Sequence, residues 1–304
     1  MANTTFSGPI RSENNVQLIS KTASTGLVHD RTQMSSRLWD ARRYYLYEPF
    51  LQRPGLNAIN IIDPDADSAS ALAITQAANK NFETLGTNYT TALTTFSATQ
   101  AGITMTTATA DQDQAILLPH LDTNQTAWSG TKWGTENSVE WECSISLPAL
   151  DNQKVWAGLK LTNDQLVATD ANQVFFKYQT DATNSEAFTD FAKWHFVHSI
   201  GGTDYISRLP ITVAVDTQYH FKIKIDSDRK ATIFVNGIQY NVTETSGSTG
   251  GTAVTAVQPG KQVVTTAALT DDVDLIPYIG IENGAAAAEV LNVHYQAISR
   301  NVFE

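Results

Sequence analysis

A single cysteine, Cys143, in 304 residues leaves nothing from which to build a disulfide framework or a thiolate metal cluster. Charged side chains are scarce as well, at 17 %. Basic residues are outnumbered 20 to 31 and the net charge is −11, which argues against nucleic acid as a direct partner, because binding phosphates takes a surplus of Lys and Arg. No run approaches the roughly 18 apolar residues of a transmembrane helix, so no membrane partner is expected. The opening MANTTFSGPIRSENN is polar and reads as no signal peptide. The N-x-[ST] triplets at Asn3, Asn88, Asn124 and Asn241 are what chance gives in a Thr-rich chain. The catalogue of chemical motifs is also empty. There is no G-x-G, Walker A sequence, H-E-x-x-H, C-x-x-C or G-x-S-x-G, and no cofactor is expected.

What is present is apolar residue, 42 % of the chain, enough for a full core. The length allows two domains or one large β sandwich. Charge divides the chain: residues 1–60 hold seven basic and four acidic side chains, and the remainder 13 basic and 27 acidic. A mildly basic segment thus precedes a strongly acidic body. It reads either as an arm that docks on an acidic neighbour or as a solvated extension.

Residues 1–36 show little periodicity and read as an extended arm. RLWDARRYYLYEPF at 37–50 concentrates Trp39, Tyr44, Tyr45, Tyr47 and Phe50 among arginines. It is either a short helix that caps the body or an anchor on a partner, since Trp, Tyr and Arg dominate interfaces; packing on its own domain is the plainer alternative. DPDAD at 63–67 reads as a turn, and SASALAITQAAN at 68–79 as one short helix. The expected organisation is an extended N-terminal arm with an aromatic anchor over 1–80 and an antiparallel β sandwich over 81–304.

From about residue 82 the period is two. In Val139–Leu147 the set Val139, Trp141, Cys143, Ile145 and Leu147 alternates with Glu140, Glu142, Ser144 and Ser146. Only a strand separates those sets onto opposite faces. Tyr219–Asp226 repeats the pattern, and one wet and one dry face per sheet is expected, as in antiparallel sheets. Further strands are expected at 103–108, 114–118, 155–161, 173–179, 193–199, 211–215, 231–235, 238–242, 275–281 and 290–298. Asn236-Gly237 between two apolar runs signals a type I′ hairpin. Many strands with no helices between them make an all-β sandwich or barrel.

Few residues offer chemistry. His195 and His198 lie three apart, hence on opposite faces of a strand, and cannot chelate one metal. His198 shares the inward phase with Trp194 and Phe196 and reads as a core or cleft histidine. Cys143 reads as an inert small hydrophobe. Asp63, Asp65 and Asp67, then Asp111 and Asp113, then Asp271, Asp272 and Asp274 are the acidic clusters worth a calcium test; none has EF-hand spacing, and each reads as a solvated turn. No metal site is expected.

TQYHFKIKIDSDRKATIFVNGIQYNV at 217–242 and DLIPYIGIENGAAAAEVLNVHYQAIS at 274–299 resemble the concanavalin-A-like, laminin-G-like jelly roll, in which a strand ending in Asp leads to a "vNG" hairpin and a later "P-y-i-g-i" strand. The segments at 116–148 and 155–163 fit its front half, so the resemblance covers about residues 82–300. It implies an all-β jelly-roll sandwich. Laminarinase-type glucanases of that fold carry E-x-D-x-x-E on one strand. Here no Glu is followed two residues later by Asp, and Glu140 and Glu142 read as part of a wet outer face. The chain is therefore expected not to be an enzyme. Exposed Trp128, Trp133 and Trp156 are the candidates to stack on sugars if the chain is a carbohydrate-binding module of a phage fibre or receptor-binding appendage.

TTFSGPIRS, NFETLGTN at 81–88 and PHLDTNQTAWSGTKWGTEN resemble virion structural proteins of tailed phages, in particular capsid decoration (cement) proteins. That resemblance implies a protein made in the host cytoplasm and placed on the outer capsid surface, with the major capsid protein and further copies of itself, as a homotrimer, for partners. The arm residues Phe6, Pro9, Ile10 and Arg11 and the aromatic segment's Trp39, Arg42, Arg43, Tyr44, Tyr45 and Phe50 are the expected partner contacts.

Overall fold

A computed structural model describes residues 19–30, 42–51, 53–56, 82–97, 100–119, 133–180, 188, 190–247, 250–257 and 267–302. Among these there is no α-helix, only short 3-10 turns at Thr91–Leu93 and Val167–Thr169. The strands before residue 100 are β1 (Ile19–Lys21), β2 (Val28–Asp30), β3 (Arg43–Glu48), β4 (Gly55–Leu56), β5 (Phe82–Leu85) and β6 (Thr94–Phe96). Next come β7 (Ile103–Thr106), β8 (Gln114–Pro119), β9 (Trp133–Gly134), β10 (Glu140–Ser146), β11 (Gln153–Lys160), β12 (Gln173–Gln179) and β13 (Lys193–Ile200). The remainder are β14 (Thr203–Thr212), β15 (Tyr219–Ile225), β16 (Ala231–Val235), β17 (Ile238–Tyr240), β18 (Thr252–Ala253), β19 (Asp274–Asn283) and β20 (Val290–Asn301).

They form two sheets. The first runs β1-β2-β17-β16-β15-β10-β20-β7-β6, with β3 also on β20; the second runs β18-β14-β13-β12-β11-β19-β8-β5-β4, with β9 on β19. Nearly every pairing is antiparallel, and neighbours in a sheet are often distant in sequence, so the chain crosses repeatedly between layers. The core follows from the alternation. Trp141, Cys143 and Ile145 of β10 face Val155, Ala157 and Leu159 of β11 in one buried cluster. Phe176 of β12 stacks on Phe221 of β15 with ring centroids 4.4 Å apart, and Trp194 of β13 meets Phe221 edge-on at 4.7 Å. These rings fill the space between the sheets. Cys143 is buried among them, and burial, then the Glu142 charge, pushes its thiol well up, which keeps it inert.

The hairpin forms as its turn chemistry dictates. Asn236 (φ 51°) and Gly237 (φ 77°) are both left-handed, and Val235 pairs with Ile238. β14 differs from expectation. It begins at Thr203 rather than 211, and its register on β13 slips between Lys193 and His195, opposite the stretch holding Pro210. A proline cannot donate to the ladder, so the strand bulges there and continues.

The expectation of one wet face per sheet is corrected. Every residue of β10, β11 and β12 is buried. Side chains from neighbouring strands and, over the second sheet, a loop at residues 161–172 cover the outward faces.

The described parts of the first 80 residues lie on the same two sheets. β1 and β2 pair with each other, and His29 of β2 bridges to Ile238. Residues 43–48, read as a capping helix or an anchor, are strand β3 and pair with β20 from Glu48↔Gln296 to Arg43↔Asn301. The helix expected at 68–79 and the acidic cluster at 63–67 lie outside the described residues.

Candidate functional site

The outward face of the second sheet is a grid that the registers define. One row runs Arg208–His195–Lys177–Trp156–Gly280–Ile116–Leu85 across β14, β13, β12, β11, β19, β8 and β5. On one side lies the row Gln179–Lys154–Glu282–Gln114. On the other lies Ile206–Val197–Phe175–Gly158–Tyr278. The middle of this face is a second apolar cluster, containing Trp156, Phe175, Val197, Ile206 and Tyr278, closed from above by Val167 and Phe188.

Three lysines rise from this face, each essentially buried. Charge in such a place must be paired and hydrogen-bonded. Lys154 Nζ lies 2.6 Å from Glu282 Oε1, whose other oxygen accepts from Gln114 Nε2 at 2.6 Å. Lys160 Nζ pairs with Asp170 at 3.0 Å, donates to Gln173 and sits 4.3 Å from the centre of the Phe175 ring. Lys177 Nζ donates to the carbonyl and side-chain oxygens of Gln165, both at 2.9 Å. Asp170 and Gln165 belong to the loop between β11 and β12. Inside that loop, Thr162 Oγ1 donates to Asp170 (2.8 Å) and Asp164 accepts from Leu166 N (2.9 Å) and Thr169 Oγ1 (2.9 Å). Lys160 and Lys177 therefore fasten a self-bonded loop onto the sheet.

Where the loop meets the charged row, it leaves a pocket of about 530 Å³. Gln112, Gln114, Lys154 and Glu282 form one side; Asn163, Asp164, Gln165 and Leu166 form the other. Seven of these eight side chains are polar, with one cation against two carboxylates.

The histidines divide as their spacing requires. His195 points outward and meets Phe188 edge-on at 4.7 Å. His198 points inward, stacked on Tyr205 at 4.7 Å. Burial lowers both to about 4, so both are neutral near pH 7. His195 Nε2 and both ring nitrogens of His198 have no hydrogen-bond partner among the described residues.

The tryptophans expected to be exposed are not. Trp156 does face the opposite side from Val155 and Ala157, but it is fully buried across Gly280, and Trp133 is buried in the main core; Trp128 lies outside the described residues. Glu140 and Glu142, expected on a wet face, are buried on the first sheet opposite Lys224 and Lys222, with Glu142 3.5 Å from Lys222 Nζ. They are on the other sheet from the pocket. Asp113 accepts from Ala110 N and Asn88 Nδ2, both at 2.7 Å, and Asp271 pairs with Arg229 at 3.3 Å, so these carboxylates serve turns and ion pairs. Among the described residues no three His, Cys, Asp or Glu side chains converge on a metal position.

Of the expected partner contacts, Phe6, Pro9, Ile10, Arg11 and Trp39 lie outside the described residues. Arg42 is exposed, and its carbonyl accepts from Val302 N at 2.8 Å. Arg43 donates to Ser138 O, Ser299 Oγ and Asn301 Oδ1 at 2.8–2.9 Å. Phe50 is buried against Phe82, Tyr45 is half-buried, and Tyr44 lies 5.8 Å from Trp133 while staying 40 % exposed. Arg43 and Phe50 thus hold this segment to its own body.

No family model matches the chain, and no curated protein is similar to it in sequence. Solved structures are similar in fold. A protein of unknown function from Shewanella oneidensis MR-1 covers 86 % of this chain and 87 % of its own at 10 % identity and a TM-score of 0.46. The Bacillus licheniformis β-glucanase covers 84 % and 97 % at 8 % identity and 0.43. A family 7 alginate lyase, A1-II′, covers 70 % and 85 % at 14 % identity and 0.42. What the chain has in common with them is the two-sheet β sandwich described above. The expectation that the chain is not an enzyme is corrected, because lacking a single glucanase motif excludes one active-site pattern, not catalysis; the β-glucanase and the alginate lyase are themselves named as enzymes. Nothing among these similarities supports the resemblance to phage virion proteins.

The pocket escaped sequence reasoning because β11 and β12 carry lysine and glutamine in the same phase as Trp156 and Phe175. The signal was there: KVWAGLK and QVFFKYQ have large apolar residues in both phases, which marks a strand covered on both faces.

Proposed function

We propose that this jelly roll binds glycans in the pocket between the charged row of the second sheet and the 161–172 loop. The pocket's polarity is the observation that carries this reading. The amides of Gln112, Gln114, Asn163 and Gln165 each offer a donor and an acceptor a short distance apart, which suits the paired hydroxyls of a sugar. Leu166 supplies the one apolar surface. Lys154 is already neutralised by Glu282, and Asp164 adds a further negative charge, so the pocket favours neutral sugars over uronates.

The test is glycan-array binding followed by calorimetry on the best neutral oligosaccharide and on an oligouronate. Binding of the neutral ligand, lost in Asn163→Ala and Gln112→Ala while the melting temperature is kept, supports the reading. Binding of no glycan, or unchanged binding by both variants, overturns it.

A second reading, that the chain is a capsid decoration protein on the outer face of a tailed-phage head, rests on the sequence resemblance and on the basic first 60 residues beside an acidic body. Its partners would be the major capsid protein and other copies of the chain. Antibody labelling of virions tests it: decorated heads support it, and unlabelled heads end it.

A further inference from the structure

We propose that Ser146, on the outward face of the first sheet, is a nucleophile activated by His294 that accepts a small acyl group from an ester. This site is on the opposite sheet from the pocket and does not depend on the glycan reading.

Ser146 of β10, Asn292 of β20 and Thr104 of β7 stand side by side across three strands. Ser146 Oγ is 3.1 Å from His294 Nε2, and His294 Nδ1 is 2.8 Å from the carbonyl oxygen of Ala101. A carbonyl can only accept, so Nδ1 carries the hydrogen. In the neutral ring Nε2 then presents its lone pair to the serine hydroxyl. This is the relation of nucleophile, base and base-orienting group that nucleophilic catalysis requires. Asn292 Nδ2 donates to Ser146 Oγ at 3.4 Å, while Thr104 Oγ1 donates to Asn292 Oδ1 at 2.8 Å and holds the amide with its NH₂ toward the serine. Asn292 Nδ2 is the donor we assign to the oxyanion that would form beside Ser146 Oγ.

The backbone is distorted to make this arrangement. Ser144 pairs with Tyr295 but Ile145 pairs with Val293, leaving His294 as the extra residue of a bulge. Bulges re-aim side chains, and this one turns the imidazole toward Ser146. Gly102 (φ +110°) makes the orienting contact possible: a Cβ there would lie 2.2 Å from Val293 O and 2.6 Å from His294 Cα. Ser146 and His294 are buried, whereas Thr104, Asn292 and Tyr295 around them are half-buried and Gln218 beside Ser144 is exposed. With nucleophile and base both buried, the proposal is confined to a small acyl group such as acetyl.

In the reaction, Ser146 Oγ bonds to the ester's carbonyl carbon and its proton passes to His294 Nε2. The bond from that carbon to the alcohol oxygen breaks, and the alcohol leaves with the proton from His294. Water, giving its proton to His294, then attacks the acetyl-serine. Acetic acid is released and ionises to acetate in water, and His294 returns its proton to Ser146 Oγ.

The test uses the full chain with a small alkyl fluorophosphonate, in which the serine oxygen bonds to phosphorus and fluoride leaves, and with 4-nitrophenyl acetate. Mass spectrometry is expected to place one adduct on Ser146. Ser146→Ala should give none, His294→Gln should label about 10²-fold or more slowly, and Ser144→Ala should label like the parent. Asn292→Ala, which leaves the His294–Ala101 contact in place, should slow 4-nitrophenyl acetate turnover by about 10²-fold. Each variant's melting temperature is measured beside its rate. No adduct on the parent chain, an adduct on another residue, or labelling at Ser146 that is unchanged in both His294→Gln and Asn292→Ala overturns the proposal.

Discussion

Lys154 Nζ and Glu282 Oε1 sit 2.6 Å apart on adjacent strands, both almost wholly removed from water. Removing one partner strands the other charge in the protein, so Lys154→Met alone is expected to cost about 3–5 kcal/mol. The double change Lys154→Met with Glu282→Leu leaves no buried charge and is expected to recover most of that loss. Urea melts of the two single variants and the double variant check this; equal instability of all three would count against it.

Acid should destabilise the fold through its histidines. His195 and His198 have folded values near 4 against an ordinary 6.5. Between those limits the unfolded chain binds protons that the folded chain refuses. Their contribution is therefore complete above pH 6.5 and is lost as pH falls toward 4, at about 1.4 kcal/mol per pH unit for each. Glu289 acts in the other direction: burial and then Asp151 raise it from 4.5 to about 7, so over that window the folded chain holds the extra proton. Two histidines outweigh one carboxyl, and urea midpoints measured at pH 7, 5.5 and 4.5 should fall.

Gly280 is bare because Trp156 lies across it; a Cβ there would be 2.2 Å from the indole. Gly280→Ala must push that ring into the apolar cluster and is expected to cost about 1–3 kcal/mol. Since Trp156 and Lys154 share a strand and a face, the same change is expected to weaken glycan binding, read by calorimetry.

In the β16–β17 turn, Gly237 holds φ 77°. Gly237→Ala is expected to lower stability by about 1 kcal/mol through left-handed strain, and Asn236→Asp, which tolerates that conformation and keeps the Oδ1 acceptor of the His220 N–H, by only a few tenths. Thermal melts separate the two.

The β sandwich was legible wherever one phase of a strand is apolar and the other polar. Glu140–Ser146 and Tyr219–Ile225 are such strands, and the Asn236-Gly237 turn fixed their neighbours' register. Legibility failed where a second layer covers the sheet. Lys154, Lys160 and Lys177 look like solvated positions in a list of residues, yet their partners Glu282, Asp170 and Gln165 come from distant positions or a loop. The Ser146–His294 pair was hidden for another reason. Its partners are 148 positions apart, and the bulge that aims the histidine breaks the alternation from which strands are read.

Arg43 reaches Ser299 across 256 intervening steps of chain. A ribosome must therefore deliver most of this polypeptide before β3 can find β20. Until then Tyr44, Tyr45 and Tyr47 travel with an unsatisfied strand edge, open to other nascent chains. Such long-range closure makes folding slow and prolongs the time during which an unpaired edge is open to misassembly.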